Sequence, residues 1–166
     1  KQTYACVRAP APGSSGNRFA PWMTVSPTLP VKNLQEFIAL LKANPGKYSH
    51  ASSGAGTAVH LAEEMFREKA GVDIVHIPYR GTVAAMPDIL TGRVAMMIDG
   101  VPVQTKNIRS GTVRAGAVTT ETRSPAIPDV PTMKESGLDY AVPFWTATHA
   151  PARPPKPAVD TRRGAA

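Results

Sequence analysis

The chain has 166 residues, of which 42% are hydrophobic and 19% are charged, which is the balance of one globular domain rather than of a disordered chain. Its net charge of +7 comes from the two ends, since residues 21–149 hold 12 basic and 11 acidic side chains. Because only 6% of the residues are aromatic and the body carries no basic stripe, a nucleic-acid-binding role is excluded.

Targeting, disulfide and metal signals are all missing from the sequence. The single cysteine, Cys6, excludes an internal disulfide. No apolar run reaches the roughly 18 residues that a membrane-spanning helix needs, and the first 20 residues hold no apolar segment of signal-peptide type. No His, Cys or Asp residues have metal-ligand spacing, so we expect no metal or cofactor. Because no apolar run is long enough to span a membrane, we also expect no direct membrane insertion.

In chain order, the pattern begins with residues 1–20, whose Ala, Pro, Gly and Ser content and lack of periodicity predict a flexible arm. Apolar runs between glycine and proline breaks then predict strands at 22–26, 48–51, 73–78, 93–98, 113–119 and 141–148. Helical spacing predicts helices after Asn33, over 58–70, between Gly81 and Gly92, and in two short segments that end at Ser110 and Gly137.

The alternation of strands and helices indicates an α/β fold, with three αβα layers and a mostly parallel sheet. We place this folded body at residues 21–150. A proline-rich basic tail follows over residues 151–166.

Ligands of open α/β sheets bind at the carboxyl ends of strands, which makes the loops 52–57, 79–82 and 99–102 the candidate sites. The first reads Ser52-Ser53-Gly54-Ala55-Gly56-Thr57. Successive N–H groups of such a glycine-rich loop can face one anion, aided by the helix that starts behind it. The loop has no lysine and no third glycine, which excludes a P-loop and a dinucleotide fingerprint. A carboxylate site and a tight turn of purely structural value remain equally open.

An enzyme would need a nucleophile and a base, which Ser53 and His60 could supply. The sequence Ser52-Ser53-Gly54 lacks the Gly-x-Ser-x-Gly elbow of serine hydrolases. His60 falls inside a predicted helix, and the other histidines, His50, His76 and His149, fall in strand patterns typical of hydrogen-bonded structural residues. We therefore expect a binding protein, with a serine hydrolase or a folded remnant without function as alternatives.

Several motifs stand in a fixed order along the chain. They are Pro27 to Lys32 with Leu34-Gln35-Glu36-Phe37, Asn44-Pro45-Gly46-Lys47-Tyr48, Ala51 to Thr57 with His60-Leu61-Ala62, His76 to Gly81, Asp99-Gly100-Val101-Pro102, and Arg123 to Thr132. Together they resemble the Bug proteins, the TctC-like solute receptors of tripartite tricarboxylate transporters, over about residues 22–160.

The resemblance implies one lobe of a two-lobed periplasmic binding protein of type II-like fold, which closes over a small carboxylate and delivers it to a membrane permease. In that family a Ser-Ser-Gly-x-Gly-Thr loop of the second lobe helps to hold the ligand. The residues implied here are Ser52, Ser53, Gly54, Gly56 and Thr57, with Tyr79 and Asp99 from two further segments near the cleft.

The family's first lobe, with its Gly-Gly loop, has no counterpart in the sequence, and residues 1–20 and 160–166 do not resemble the family. We therefore expect a truncated or frame-shifted chain that holds the second lobe alone. Two or three charge-assisted hydrogen bonds of about 1.5–3 kcal/mol each barely offset an association cost of about 4–15 kcal/mol, so binding should be millimolar or weaker. The lobe face left exposed should favour self-association.

Overall fold

The computed structural model describes residues 11–100 and 102–150, which belong to two compact units. We call residues 20–143 the sheet unit; the other unit holds the strands that precede and follow it. The strands are β1 Ala11–Phe19, β2 Trp22–Val25, β3 Ser49–Ser52, β4 Val75–Pro78, β5 Met96–Asp99, β6 Arg114–Val118 and β7 Phe144–Ala150. The helices are α1 Leu34–Ala43, α2 Ala58–Ala70, α3 Thr82–Thr91 and α4 Pro102–Arg109.

The sheet unit is built on five strands in the order β4-β3-β5-β2-β6. Strand β3 runs parallel to β4 and β5, whereas β2 runs antiparallel to both of its neighbours, β5 and β6. Four strands therefore point one way and β2 alone points the other way. The predicted α/β fold with a mostly parallel sheet is confirmed, and the reversed strand is the feature that the apolar pattern did not reveal.

Helices cover both faces of this sheet. The connection through α2 steps from β3 outward to β4, and the connection through α3 steps back past β3 to β5. Because crossovers between parallel strands are almost always right-handed, steps in opposite directions place α2 and α3 on opposite faces. Both helices contact β3 and β5, which are the central strands of the parallel part.

The predicted helix boundaries are confirmed most closely at α1 and α2. Asn33 precedes α1, and its side chain accepts a hydrogen bond from the Glu36 N–H at 2.9 Å, while the Glu36 carboxylate accepts from the Lys32 N–H at 2.7 Å. Thr57 caps α2 in the same way by accepting from the His60 N–H. These side chains satisfy N–H groups that the first helical turn leaves without a partner.

The core of the sheet unit lies between the sheet and its helices, with buried side chains from β2, β3, β5 and β6 and from α1, α2 and α3. The largest fully buried side chains are Phe37, Phe66, Met23, Leu34, Leu41, Ile89, Met96, Met97, Ile98, Met133 and His50. The adjacent pair Met96 and Met97 is part of this core, as expected for a strand that is covered on both faces. His50 is a polar side chain within this apolar core, and its hydrogen-bond partner belongs to the candidate site.

Two expectations about local structure are wrong. Residues 11–19 form β1, paired antiparallel with β7, instead of a flexible arm. Pairing through the main chain is not visible in a composition of Gly, Pro and Ser. The expected short helix after Thr132 is a run of turns that ends at Gly137. Residues 1–10 of the arm and the predicted tail over 151–166 lie outside the described residues.

The body expected at residues 21–150 does not form a single unit, because β7 groups with β1 and the sheet unit ends at residue 143. The last predicted strand, 141–148, is present but lies at Phe144–Ala150.

Gly92, which ends α3, offers a test of this packing. Its φ is +82°, and a Cβ at this position would collide with Oγ1 of Thr28. We expect Gly92→Ala to lower the free energy of unfolding by about 2–4 kcal/mol, because a left-handed alanine costs about 1–2 kcal/mol and the overpacking adds to it. Urea denaturation measures the change.

The matched control is Gly71→Ala at the end of α2. Gly71 has a φ of +62° and nothing within 4 Å of the added Cβ, so only the backbone cost applies. Equal losses in the two variants would contradict the close contact between α3 and the loop that holds Thr28.

Candidate functional site

The three predicted loops meet at one edge of the sheet. The N–H of Tyr79 donates to the carbonyl of Ser52 at 2.9 Å, which joins the end of β4 to the start of the loop 52–57. His50 lies opposite Met96 in the pairing of β3 with β5, so the residues three further on, Ser53 and Asp99, lie at the same level. The chain leaves β3 and β5 in opposite directions, which is where open α/β sheets form their ligand crevice.

Within the loop 52–57, three main-chain N–H groups already have partners. Gly54 donates to Oγ of Ser52 at 3.2 Å, Gly56 donates to Nδ1 of His60 at 3.1 Å, and Thr57 donates to the Gly54 carbonyl at 3.3 Å. Both glycines have positive φ, as their residue type predicted. The Gly54 and Gly56 N–H groups are therefore bonded within the protein, and their contact with an anion stays a prediction.

The donors that remain are the N–H groups of Ser53 and Ala55, together with those of Ala58 and Val59 in the first turn of α2. None of these four has an acceptor among the residues that the structure describes. The side chain of Thr57 is engaged, because its Oγ1 donates to the Gly54 carbonyl at 2.8 Å and accepts from the His60 N–H. Ligand contact by the loop, predicted through Ser52, Ser53, Gly54, Gly56 and Thr57, stays a prediction.

Tyr79 and Asp99 lie at the same edge, but their side chains are bound to α3 and its surroundings. The Tyr79 hydroxyl donates to Oδ2 of Asp88 at 2.6 Å, and burial together with this bond raises the pKa of Tyr79 to about 12. Asp99 is buried and accepts from the Thr82 hydroxyl and, at 2.7 Å, from the Gly100 N–H. Burial raises the pKa of Asp99 above its usual range. A ligand role for either side chain remains a prediction.

The histidine positions predicted separate structural residues, but the structure brings three of them together beside the loop. We call His50, His76 and His60 the histidine stack. The ring of His76 lies between the other two, with centroid distances of 4.0 Å to His60 and 5.1 Å to His50. Nε2 of His76 also lies 2.6 Å from Oγ of Ser52, the hydroxyl that holds the Gly54 N–H.

A buried carboxyl group lies beneath the histidine stack. Oε2 of Glu63 is 2.9 Å from Nδ1 of His50, and Oε1 accepts from the Ile98 N–H at 2.9 Å; both side chains are fully buried. Burial raises the pKa of Glu63 to about 9 and lowers the pKa of His50 to about 3. Both directions favour the uncharged forms, in which a carboxylic acid on Glu63 donates to a neutral His50 imidazole.

A sequence signal for this cluster existed, although it was weak. His50 and Ser52 are two residues apart on β3 and so share one face of the sheet. His60, Glu63 and Glu64 have the spacing of one face of a helix. What the sequence could not show is that β4 places His76 between these two sets.

Among residues 11–100 and 102–150, no group of three or more His, Cys, Asp or Glu side chains is arranged to hold a metal ion. The same part of the chain contains no helix with both the length and the apolar character needed to cross a membrane.

Comparison with known families decides the relationship. The model of a family described as "Tripartite tricarboxylate transporter family receptor", TctC, matches residues 3–164. The chain belongs to this family. The match includes residues 3–20 and most of 160–166, which the sequence analysis placed outside the family.

Curated relatives of the TctC family show the same likeness over part of their length. The chain is 40% identical over 131 residues to the UPF0065 protein in the tcbD-tcbE intergenic region of Pseudomonas sp. strain P51, which covers 78% of this chain and 39% of that protein. It is 38% identical over 130 residues to the protein BugT of Bordetella pertussis, which covers 78% and 40%. The chain thus spans about two fifths of the length of these relatives.

Solved structures of TctC-like proteins match the fold closely. A protein described as a periplasmic transporter has a TM-score of 0.90 at 36% identity, covering 98% of this chain and 54% of that one. The periplasmic binding protein BugD has a TM-score of 0.84 at 38% identity, covering 91% and 51%. Rpa4515 of R. palustris, whose structure is described with adipate, has a TM-score of 0.90 at 29% identity, covering 95% and 53%.

The Glu63–His50 pair predicts a specific pH dependence of stability. Because the folded protein keeps a proton on Glu63 that the unfolded chain loses above about pH 4.5, this group's contribution to stability falls as the pH rises from 4.5 towards 9. His50 has the opposite effect below pH 6.5, where only the unfolded chain takes up its proton.

We expect Glu63→Gln to remove this loss of stability at rising pH. An amide can donate to His50 and accept from the Ile98 N–H as the carboxylic acid does, but it does not ionise. Urea denaturation across this pH range should show the variant gaining on the wild type as the pH rises. The control is Glu68→Gln, an exposed site on the same helix, which should run parallel to the wild type. A constant offset for Glu63→Gln would show that Glu63 is ionised in the folded protein.

Proposed function

We propose that this chain is a carboxylate-binding lobe, the second lobe of a periplasmic solute receptor. The observation that carries the proposal is its likeness to receptors described with such ligands. Rpa4515 is described with adipate, and MatC from Rhodopseudomonas palustris, described with bound malate, covers 92% of this chain with a TM-score of 0.83 and 26% identity. Adipate and malate are both small dicarboxylates.

The chemistry of the loop 52–57 supports a carboxylate over a more highly charged anion. The loop contains no basic side chain, so its electrostatic attraction comes from main-chain N–H groups and from the start of α2. The N–H groups of Ser53 and Ala55 have no partner among the described residues, and Ala55 is exposed. Two to four neutral donors match the two oxygens of a carboxylate.

The same geometry argues against the serine hydrolase. Ser53 Oγ donates to Oγ1 of Thr57 at 3.4 Å, and Nδ1 of His60 is occupied by the Gly56 N–H, so the expected nucleophile and base are each engaged elsewhere. Ser52 does contact a histidine, His76, but its side chain is fully buried and holds the Gly54 N–H. A hydroxyl in this position cannot reach a substrate. We therefore assign a binding role and no catalysis.

The family description supplies the wider setting of the proposal. A receptor of a tripartite tricarboxylate transporter would work in the periplasm and pass its ligand to a membrane permease. Self-association of the lobe remains a prediction. Because the chain spans about two fifths of its relatives, we expect it alone to bind with a dissociation constant of about 1 mM or weaker.

A titration followed by amide NMR tests the proposal. Adipate should shift the N–H signals of Ser53, Ala55 and the first turn of α2 in a saturable way, because a carboxylate hydrogen-bonded to these groups changes their electronic environment. The control ligand is 1,6-hexanediol, which has the same chain length without charge and should leave the signals in place. Equal responses to both compounds, or no response to adipate, would contradict the proposal.

A charge placed in the loop should weaken this binding. We expect Ala55→Glu to raise the adipate dissociation constant about threefold or more, since like charges some 6 Å apart in water repel by roughly 0.7 kcal/mol. The matched control is Ala39→Glu on α1, which is also exposed and changes the net charge equally. If both variants bind adipate as the wild type does, the ligand does not contact this loop.

A further inference from the structure

We propose that His60 is a positioning residue of the loop 52–57: its neutral ring holds the Gly56 N–H through a hydrogen bond, and protonation of the ring releases that N–H and strengthens anion binding. The effect on anion binding rests on the proposed function. The release of the Gly56 N–H on protonation of His60 can be tested without a ligand.

Both glycine amides of the loop depend on the histidine stack. The Gly56 N–H donates directly to Nδ1 of His60 at 3.1 Å. The Gly54 N–H donates to Oγ of Ser52 at 3.2 Å, and that hydroxyl is 2.6 Å from Nε2 of His76. The rings of His60 and His76 lie 4.0 Å apart, only 23° from parallel. The shape of the loop is therefore set by two imidazoles in contact.

The bond from Gly56 requires one protonation state of His60. A ring nitrogen can accept a hydrogen bond only when it carries no proton, so His60 must be neutral with its proton on Nε2. An added proton turns Nδ1 into a donor that faces the Gly56 N–H, and the two donors must separate. Among residues 52–57, Gly56 is the one residue whose N–H donates directly to an imidazole nitrogen.

The charged and titratable groups around His60 come from three elements. On α2, Oε1 of Glu64 lies 3.7 Å from Nε2 of His60, and Glu64 is itself paired with Arg67 at 3.1 Å. On β4 is His76, whose pKa is lowered by burial and then by His60, against an opposing effect of Glu64. On β3 lies His50, which is fully buried with Glu63 and uncharged.

Solvent reaches the His60 side chain, so His60 can exchange protons with it. Its side chain is 21% exposed, whereas that of His50 is fully buried. The Glu64 carboxylate near Nε2 stabilises both the tautomer seen here and the imidazolium. A cation at the start of a helix is disfavoured by the helix dipole unless an anion lies beside it. A bound carboxylate would supply that anion, so ligand binding and proton uptake at His60 should favour each other.

The first experiment uses the protein without ligand. In the wild type, as the pH is lowered from about 8 to about 5.5, the Gly56 N–H signal should shift and its protection from hydrogen exchange, relative to an unstructured amide at the same pH, should fall, both with the same midpoint as the His60 ring signals. In His60→Asn, an amide oxygen replaces Nδ1 as acceptor and cannot titrate, so the Gly56 signal should stay constant. The internal control is the Gly71 N–H, which donates to carbonyls of α2 and should not respond in either protein.

A Gly56 signal that does not follow His60 in the wild type would overturn the proposal, as would an unchanged titration in His60→Asn. Thermal unfolding of the variant shows whether its fold is intact. If His60→Asn does not fold, the wild-type titration still decides the matter, because the Gly56 signal and the ring signals are compared within one protein.

The second experiment measures adipate binding at about pH 8 and pH 6, a range in which ordinary carboxylates stay ionised. The wild type should bind about fivefold to tenfold more tightly at the lower pH, the order expected of one added charge-assisted hydrogen bond in a partly exposed site. His60→Asn should lose this difference between the two pH values.

The outcomes separate the two claims. Adipate that fails to bind at either pH contradicts the proposed function, and the ligand-free titration of Gly56 then decides the role of His60 by itself. Adipate that binds with the same pH dependence in the wild type and in His60→Asn supports the proposed function and overturns the role of His60.

Discussion

The hydroxyl of Ser52 is the contact on which the candidate site depends. Ser52 is the last residue of β3. Its hydroxyl accepts a hydrogen bond from the Gly54 N–H and lies 2.6 Å from Nε2 of His76 on the neighbouring strand. Through this group the first turn of the loop is joined to the neighbouring strand β4. Ser52 is fully buried, which shields its hydroxyl from competition by water.

Much of this architecture can be predicted from the sequence, because it follows from local chemistry. Helix α2 begins after Thr57 and ends at Gly71 since a hydroxyl cap and a glycine with positive φ are needed there. The position of the loop at the carboxyl edge follows from the alternation of strands and helices. The direction of β2 and the pairing of β1 could not be predicted, because main-chain pairing between distant segments leaves no mark on composition or periodicity.

The arrangement inside the site was also beyond the sequence, since it depends on three elements at once. His60 on α2, His76 on β4 and His50 on β3 form one stack only because the sheet order places β3 beside β4 under that helix. Which residues of the loop meet a ligand stays a prediction. Residue type suggested the glycine amides, whereas the structure pairs these with Ser52 and His60 and leaves the N–H groups of Ser53 and Ala55 without an acceptor among the described residues.

The central claim is that a carboxylate binds at the loop between β3 and α2. A crystal structure of this chain grown with adipate tests it most directly. The account predicts a carboxylate group within hydrogen-bonding distance of the main-chain nitrogens of Ser53 and Ala55. A carboxylate bound at another edge of the sheet, with the loop 52–57 making no contact to it, would contradict the account.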